Sequence, residues 1–100
     1  MILLNTTFIS HNTHSTEVAE WLRDVYMPAA QSTGLFTMPL LTRVLTNVDP
    51  DATSYALQMR CENLNDATRW HDVDATALRN EIKSRWGQRV LFFTTYMEIL

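Results

Sequence analysis

The sequence predicts an α+β domain with the element order strand, helix, strand, strand, helix, strand. Three observations carry that prediction. Apolar residues recur at helical spacing in two separate stretches. Four further stretches are dominated by β-branched, aromatic and other apolar residues, one of them alternating strictly with period two. Clusters rich in Asn, Asp, Ser, Pro and Gly divide these stretches from one another.

Residues 2–9 form the first expected strand, with Ile, Leu, Thr and Phe and no breaker. Ser10 to Ser15 is a polar loop rich in N-cap residue types. From about Thr16 the period changes. Val18, Trp21, Leu22, Val25, Tyr26 and Ala29 lie on one helical face, with Glu17, Glu20, Arg23 and Asp24 opposite. Pro28 is expected to loosen the last turn and Gly34 to cap the helix. The second strand is expected over Met38–Asn47, with Pro39 near its start, followed by a turn over Asn47-Val48-Asp49-Pro50-Asp51.

The third strand, Thr53–Cys61, alternates cleanly. Tyr55, Leu57, Met59 and Cys61 face one way, and Ser54, Ala56, Gln58 and Arg60 the other. Asn63 is the N-cap of a second helix over Leu64–Trp86, whose apolar side is Leu64, Ala67, Trp70, Leu78 and Ile82. His71-Asp72-Val73-Asp74 interrupts its pattern and predicts a bend. Gly87 ends the helix, and Arg89–Leu100 is a strongly apolar last strand. With right-handed crossovers this order is the ferredoxin-like βαββαβ plait: a four-stranded antiparallel sheet with two helices on one face.

At 100 residues the chain has room for one domain, over 1–100. A chain of that length buries only about 60–65% of its unfolded surface, so association is a natural supplement to its core. The net charge of −3 and scattered basic residues argue against nucleic acid and against an anionic membrane surface. Cys61 is the only cysteine, so no intrachain disulfide forms and a cytoplasmic setting is expected. The start turns polar after four residues, too soon for a signal peptide, and no stretch approaches the roughly 20 apolar residues of a membrane span.

The two outer strands in the sequence break the rule that a half-buried strand alternates. Ile2, Leu4 and Phe8 oppose Leu3 and Ile9; Val90, Phe92 and Tyr96 oppose Leu91, Phe93, Met97 and Ile99. The face of the sheet away from the helices is therefore apolar, which predicts a homodimer packed through that open face.

Few residues suggest chemistry. Asn5, Arg43, Gln58, Arg60 and Glu98 are polar positions within strands, expected as a patch on the open face. They would serve dimer specificity or, through Arg43 and Arg60, hold a small anion. His11 and His14 sit three apart in an irregular loop with no acidic residue at ligand spacing beside them, and His71 lies on the second helix, so no metal is expected. Cys61, on the apolar parity, reads as an inert core thiol, and Tyr26, Tyr55 and Tyr96 as ordinary half-buried tyrosines. An RNA-binding version of the plait needs aromatics on the outer face of the central strands, where the third strand has Ser54, Ala56, Gln58 and Arg60.

The segments Gly34-Leu35-Phe36-Thr37-Met38-Pro39 and Arg43-Val44-Leu45 resemble a family of small bacterial proteins, typical of Bacteroidetes, grouped as a domain of unknown function. So do Asn5-Thr6-Thr7-Phe8, Trp21-Leu22, Tyr26-Met27-Pro28, Ser54-Tyr55-Ala56-Leu57-Gln58, Arg69-Trp70-His71 and Met97-Glu98. That resemblance implies a small cytoplasmic plait protein and no particular activity. The architecture is also similar to the dimeric α+β barrel superfamily, which includes cofactor-independent monooxygenases and haem-degrading enzymes. By that analogy Asn5, Trp70 and His71 would shape a pocket between helices and sheet, although His71 adjoins Trp70 and so turns about 100° from it. Two functions are therefore expected: a non-enzymatic dimer that binds a small ligand or a protein partner without a cofactor, or an enzyme of the barrel type.

Overall fold

The computed structural model describes residues 1–46 and 49–100. It contains four strands, β1 (Ile2–His11), β2 (Thr37–Arg43), β3 (Ala52–Cys61) and β4 (Val90–Glu98), in one antiparallel sheet of order β2-β3-β1-β4. The first helical stretch comprises α1 (Ser15–Trp21), a π turn (Leu22–Tyr26) and α2 (Met27–Gln31). The second comprises α3 (Leu64–Arg69), a π turn (Trp70–Asp74) and α4 (Thr76–Trp86). Both stretches lie on one face of the sheet, as the βαββαβ plait requires.

Local chemistry accounts for the ends and irregularities. Pro28 has no N–H to donate and its ring crowds the carbonyl four residues back, so the helix widens just before it. The expected loosening thus becomes a π turn, in which the Met27 N–H reaches the Leu22 carbonyl. The extra residue rotates the helix: Val25 is exposed and Ala30 is buried, correcting the apolar face expected from a regular 3.6 period. Gly34 and Gly87 have φ of +73° and +56°, where side chains are strained, and each ends a helical stretch. Asn63 caps α3, its Oδ1 accepting from the Asp66 N–H at 2.9 Å. Leu64, in the first turn, is exposed rather than part of the apolar side.

The inner face of the sheet contributes Leu4, Phe8, Tyr55, Leu57, Met59 and Val90 to the core. Against them pack Val18, Leu22, Ile82 and an aromatic cluster. Tyr26 and Trp70 meet edge to face at 5.8 Å, Trp70 and Phe36 at 5.2 Å, and Trp21 and Trp86 at 5.8 Å. Trp21 also donates its indole N–H to Glu81. Among the described residues no helix is long and apolar enough to cross a membrane.

β2 departs from expectation twice. It ends at Arg43, with one further bond from the Val44 N–H to the Ser54 carbonyl at 2.9 Å, before a bend at Leu45 and Thr46. Of the expected strand end and turn, Asn47 and Val48 lie outside the described residues, while Pro50 and Asp51 turn the chain as expected. The strand also carries a bulge. Thr37 lies opposite Arg60 but Leu40 lies opposite Gln58, so Met38 and Pro39 together face the single residue Met59. Met38 takes a φ of +53° to achieve this. Pro39 is tolerated because β2 is an edge strand and the bulge interrupts its ladder.

Candidate functional site

On the open face the register sets side chains in rows across the sheet. One row is Leu40, Gln58, Asn5 and Thr95; the next is Thr37, Arg60, Leu3 and Met97; on the other side lies Thr42, Ala56, Thr7 and Phe93. Polar side chains thus occupy much of β1, β2 and β3 on this face, and its exposed apolar residues concentrate on β4. Leu91 is 57% exposed and Phe93 54%, with Leu40, Met97 and Ile99 also open. Asn5 donates from Nδ2 to Thr7 Oγ1 at 3.1 Å, while its Oδ1 is shielded from solvent without a partner among the described residues.

Glu98 lies opposite Ile2, in the row of Cys61 on the helix side of the sheet, and does not join this patch; nor does Arg43. Arg43 lies opposite Tyr55, whose hydroxyl donates to the Ser15 carbonyl at 3.0 Å beneath the helices. The bulge is the reason: one extra residue turns every later side chain of β2 to the other face. Arg43 therefore borders a cleft with Thr16, Glu20, Arg23 and Tyr55 on the helix side, while Arg60 stays on the open face. The two arginines cannot clamp one anion.

The expected set of Asn5, Trp70 and His71 is also divided. Asn5 is on the open face, whereas Trp70 is 2% exposed and enclosed by Tyr26 and Phe36. The space where a pocket between helices and sheet was expected is filled by these rings. Burial pushes the Tyr26 hydroxyl up to about 12, against the smaller opposing pull of its Thr6 hydrogen bond.

His71 has a different setting. The π turn that sends Trp70 inward swings His71 toward β4, where its ring meets Tyr96 edge-on at 6.1 Å. Its Nδ1 lies 3.0 Å from Asp72 Oδ1, a contact that favours the proton on Nδ1. Arg79, in α4 of the same helical stretch, donates from Nη1 to the His71 carbonyl and from Nη2 to Thr76 Oγ1 at 3.2 Å. Together with Phe92, Phe93, Thr94 and Tyr96 of β4, the sheet's edge strand, these residues bound a cleft of about 370 Å³. Burial raises the Tyr96 hydroxyl above its ordinary value, as does the nearby Asp72 charge, and Arg79 opposes both. Sequence reading missed Arg79 and Thr94; their only signals were parity with Tyr96 in β4 and an arginine on the helix flank.

The remaining candidates have structural occupations. His14 is flanked by Glu17 at 3.1 Å on Nδ1 and Arg89 at 3.0 Å on Nε2, and His11 Nδ1 accepts from the Thr13 N–H at 3.3 Å. Among the described residues no three His, Cys, Asp or Glu side chains converge as metal ligands. Cys61 is buried and its thiol is raised by that burial.

Known proteins resemble this chain chiefly in fold. A protein of Deinococcus radiodurans, proposed to be an antibiotic biosynthesis monooxygenase, superposes with a TM-score of 0.65 at 19% identity, over 99% of this chain and 92% of that one. A DABB-family protein with a ferredoxin-like fold from Mesorhizobium loti gives 0.61 at 18% identity, over 100% and 99%. A dimeric ferredoxin-like protein from an uncultured marine organism gives 0.68 at 8% identity, over 100% and 95%. No curated protein matches by sequence. The model of the family described as "Domain of unknown function (DUF4286)" matches residues 1–100, and the chain belongs to that family.

Proposed function

We propose that this member of the DUF4286 family is a cytoplasmic, non-enzymatic homodimer, one domain over residues 1–100, that pairs through its open sheet face and binds a small ligand. The observation that carries the reading is the contrast between the two faces of the sheet. The helix-side face is closed by aromatic packing around Trp70, and the other presents Leu40, Leu91, Phe93 and Met97 to water. Large exposed apolar patches on a small protein mark an interaction surface. A face-to-face, two-fold pairing covers every exposed row at once and sets the polar row of Gln58, Asn5 and Thr95 against its own copy. The existence of a dimeric protein with this fold supports the pairing.

Sedimentation equilibrium at micromolar concentration tests the pairing, with a mass of two chains expected. Leu91→Glu places two buried carboxylates in a two-fold interface and is expected to give a monomer whose helical circular dichroism is unchanged. A wild-type monomer refutes the pairing.

A second reading is a cofactor-independent monooxygenase-like or haem-degrading enzyme, favoured by the function proposed for the Deinococcus neighbour. It would require Trp70 to leave the core. Haemin titration separates the readings: the non-enzymatic one expects an unchanged visible spectrum, and a shifted Soret band that is lost in His71→Ala favours the enzyme.

A further inference from the structure

The cleft between β4 and the second helical stretch carries more chemistry than a structural seam needs. Its inner part holds a half-buried guanidinium, Arg79, bonded only to neutral acceptors: the His71 carbonyl and the Thr76 hydroxyl. Among the described residues no carboxylate forms an ion pair with it. A cation partly withdrawn from water and lacking a counter-ion is an incomplete arrangement, because desolvation is offset only by an opposite charge or by several hydrogen bonds. The one acid at the rim, Asp72, is 70% exposed and engaged by His71 Nδ1.

Beside Arg79 the walls are flat and aromatic. Phe92 and Tyr96 come from alternate positions of β4, and the His71 ring stands edge-on to Tyr96. Thr94, between them on the same face, has its hydroxyl 3.0 Å from that of Thr6. The π turn at Trp70–Asp74 is what brings His71 to this wall, and widened turns of this kind recur at functional sites. A volume of about 370 Å³ falls within the range of small-molecule sites.

We propose that this cleft binds a flat aromatic carboxylate, with the carboxylate on Arg79 and the ring against Phe92 and Tyr96. The assignment rests on the ligand-binding half of the proposed function; the cleft shares only Phe93 with the face on which the dimer pairs. Arginine suits the task because its planar fork matches a carboxylate, and the aromatic wall adds a stacking surface that a simple inorganic anion cannot use.

The test is titration of the intact protein with three probes: 1-naphthoate, its neutral carboxamide, and acetate, followed by amide chemical shifts and calorimetry. Naphthoate is expected to bind roughly ten-fold or more tightly than either of the others, since it alone offers both charge and ring. The shifts should concentrate at His71, Arg79 and Tyr96. Arg79→Gln should abolish the preference for acid over amide while leaving residual binding of the ring. Should that variant fail to fold, the wild-type comparison of naphthoate with its amide decides alone. Equal affinities for acid and amide, shifts confined to the open face, or no binding of any probe overturns the assignment. The mass measurement reads the dimer separately: a dimer that binds no naphthoate sinks only the ligand class, and a monomer that binds it sinks only the pairing.

Discussion

Replacing Trp70 by alanine separates a packing role from a pocket role. The indole is 2% exposed and makes edge-to-face contacts with Tyr26 at 5.8 Å and Phe36 at 5.2 Å. Buried aromatic-to-alanine changes cost about 3–5 kcal/mol, through lost transfer energy and the cavity left behind. Two aromatic partners lose favourable edge contacts as well, which places Trp70→Ala near the upper end, at about 4–5 kcal/mol. For a chain of this length the unfolding entropy is roughly 0.2 kcal/mol/K, so the melting temperature should fall by about 20 °C. Urea denaturation followed by far-ultraviolet circular dichroism measures the change directly. His71→Ala is the neighbouring control: its ring is on the cleft wall, 23% exposed, and its removal should cost about 1 kcal/mol or less. A loss below about 1 kcal/mol for Trp70→Ala would refute the packing argument, because only an indole lining a solvent-filled space could be removed so cheaply.

Two further outcomes follow from individual residues. Tyr26 is neutral in the fold up to about pH 12 but ionises near 10 once unfolded. The unfolded chain therefore loses its proton first, so this contribution to stability is intact below pH 10 and is lost as pH rises from there to about 12. Tyr26 alone should contribute a slope approaching roughly 1.4 kcal/mol per pH unit, so Tyr26→Phe should flatten the alkaline dependence by about that amount and leave the smaller part due to Tyr96 and Cys61, measured by urea midpoints in alkaline buffers. Asn63→Ala removes the acceptor for the Asp66 N–H and should cost about 1 kcal/mol in the same assay, whereas Asn63→Asp should be close to neutral.

How much was legible before folding depended on whether the signal was local. The alternation of Tyr55, Leu57, Met59 and Cys61 placed those four side chains inside correctly, because a strand's period is set by its own backbone. The Asn63 cap and the ends at Gly34 and Gly87 were legible for the same reason: each is decided within one turn. The bend at His71–Asp74 could be located from its broken periodicity, but not its form, since a π turn depends on what Trp70 packs against.

Arg43 marks the limit. Its parity matched Asn5, yet the bulge at Met38 and Pro39 reversed it, and a bulge is settled by pairing with β3 twenty residues away. The cleft beside β4 is a stronger case. Nothing in the spacing of His71, Arg79 and Tyr96 joins them; the widened turn and the docking of the second helical stretch on the sheet do. The sequence by itself determined the order of elements and the exposed apolar residues of the last strand, because periodicity and capping act over a few residues. Only the tertiary structure decided which polar side chains meet, because strand register, helix rotation and burial are set by partners distant in the chain.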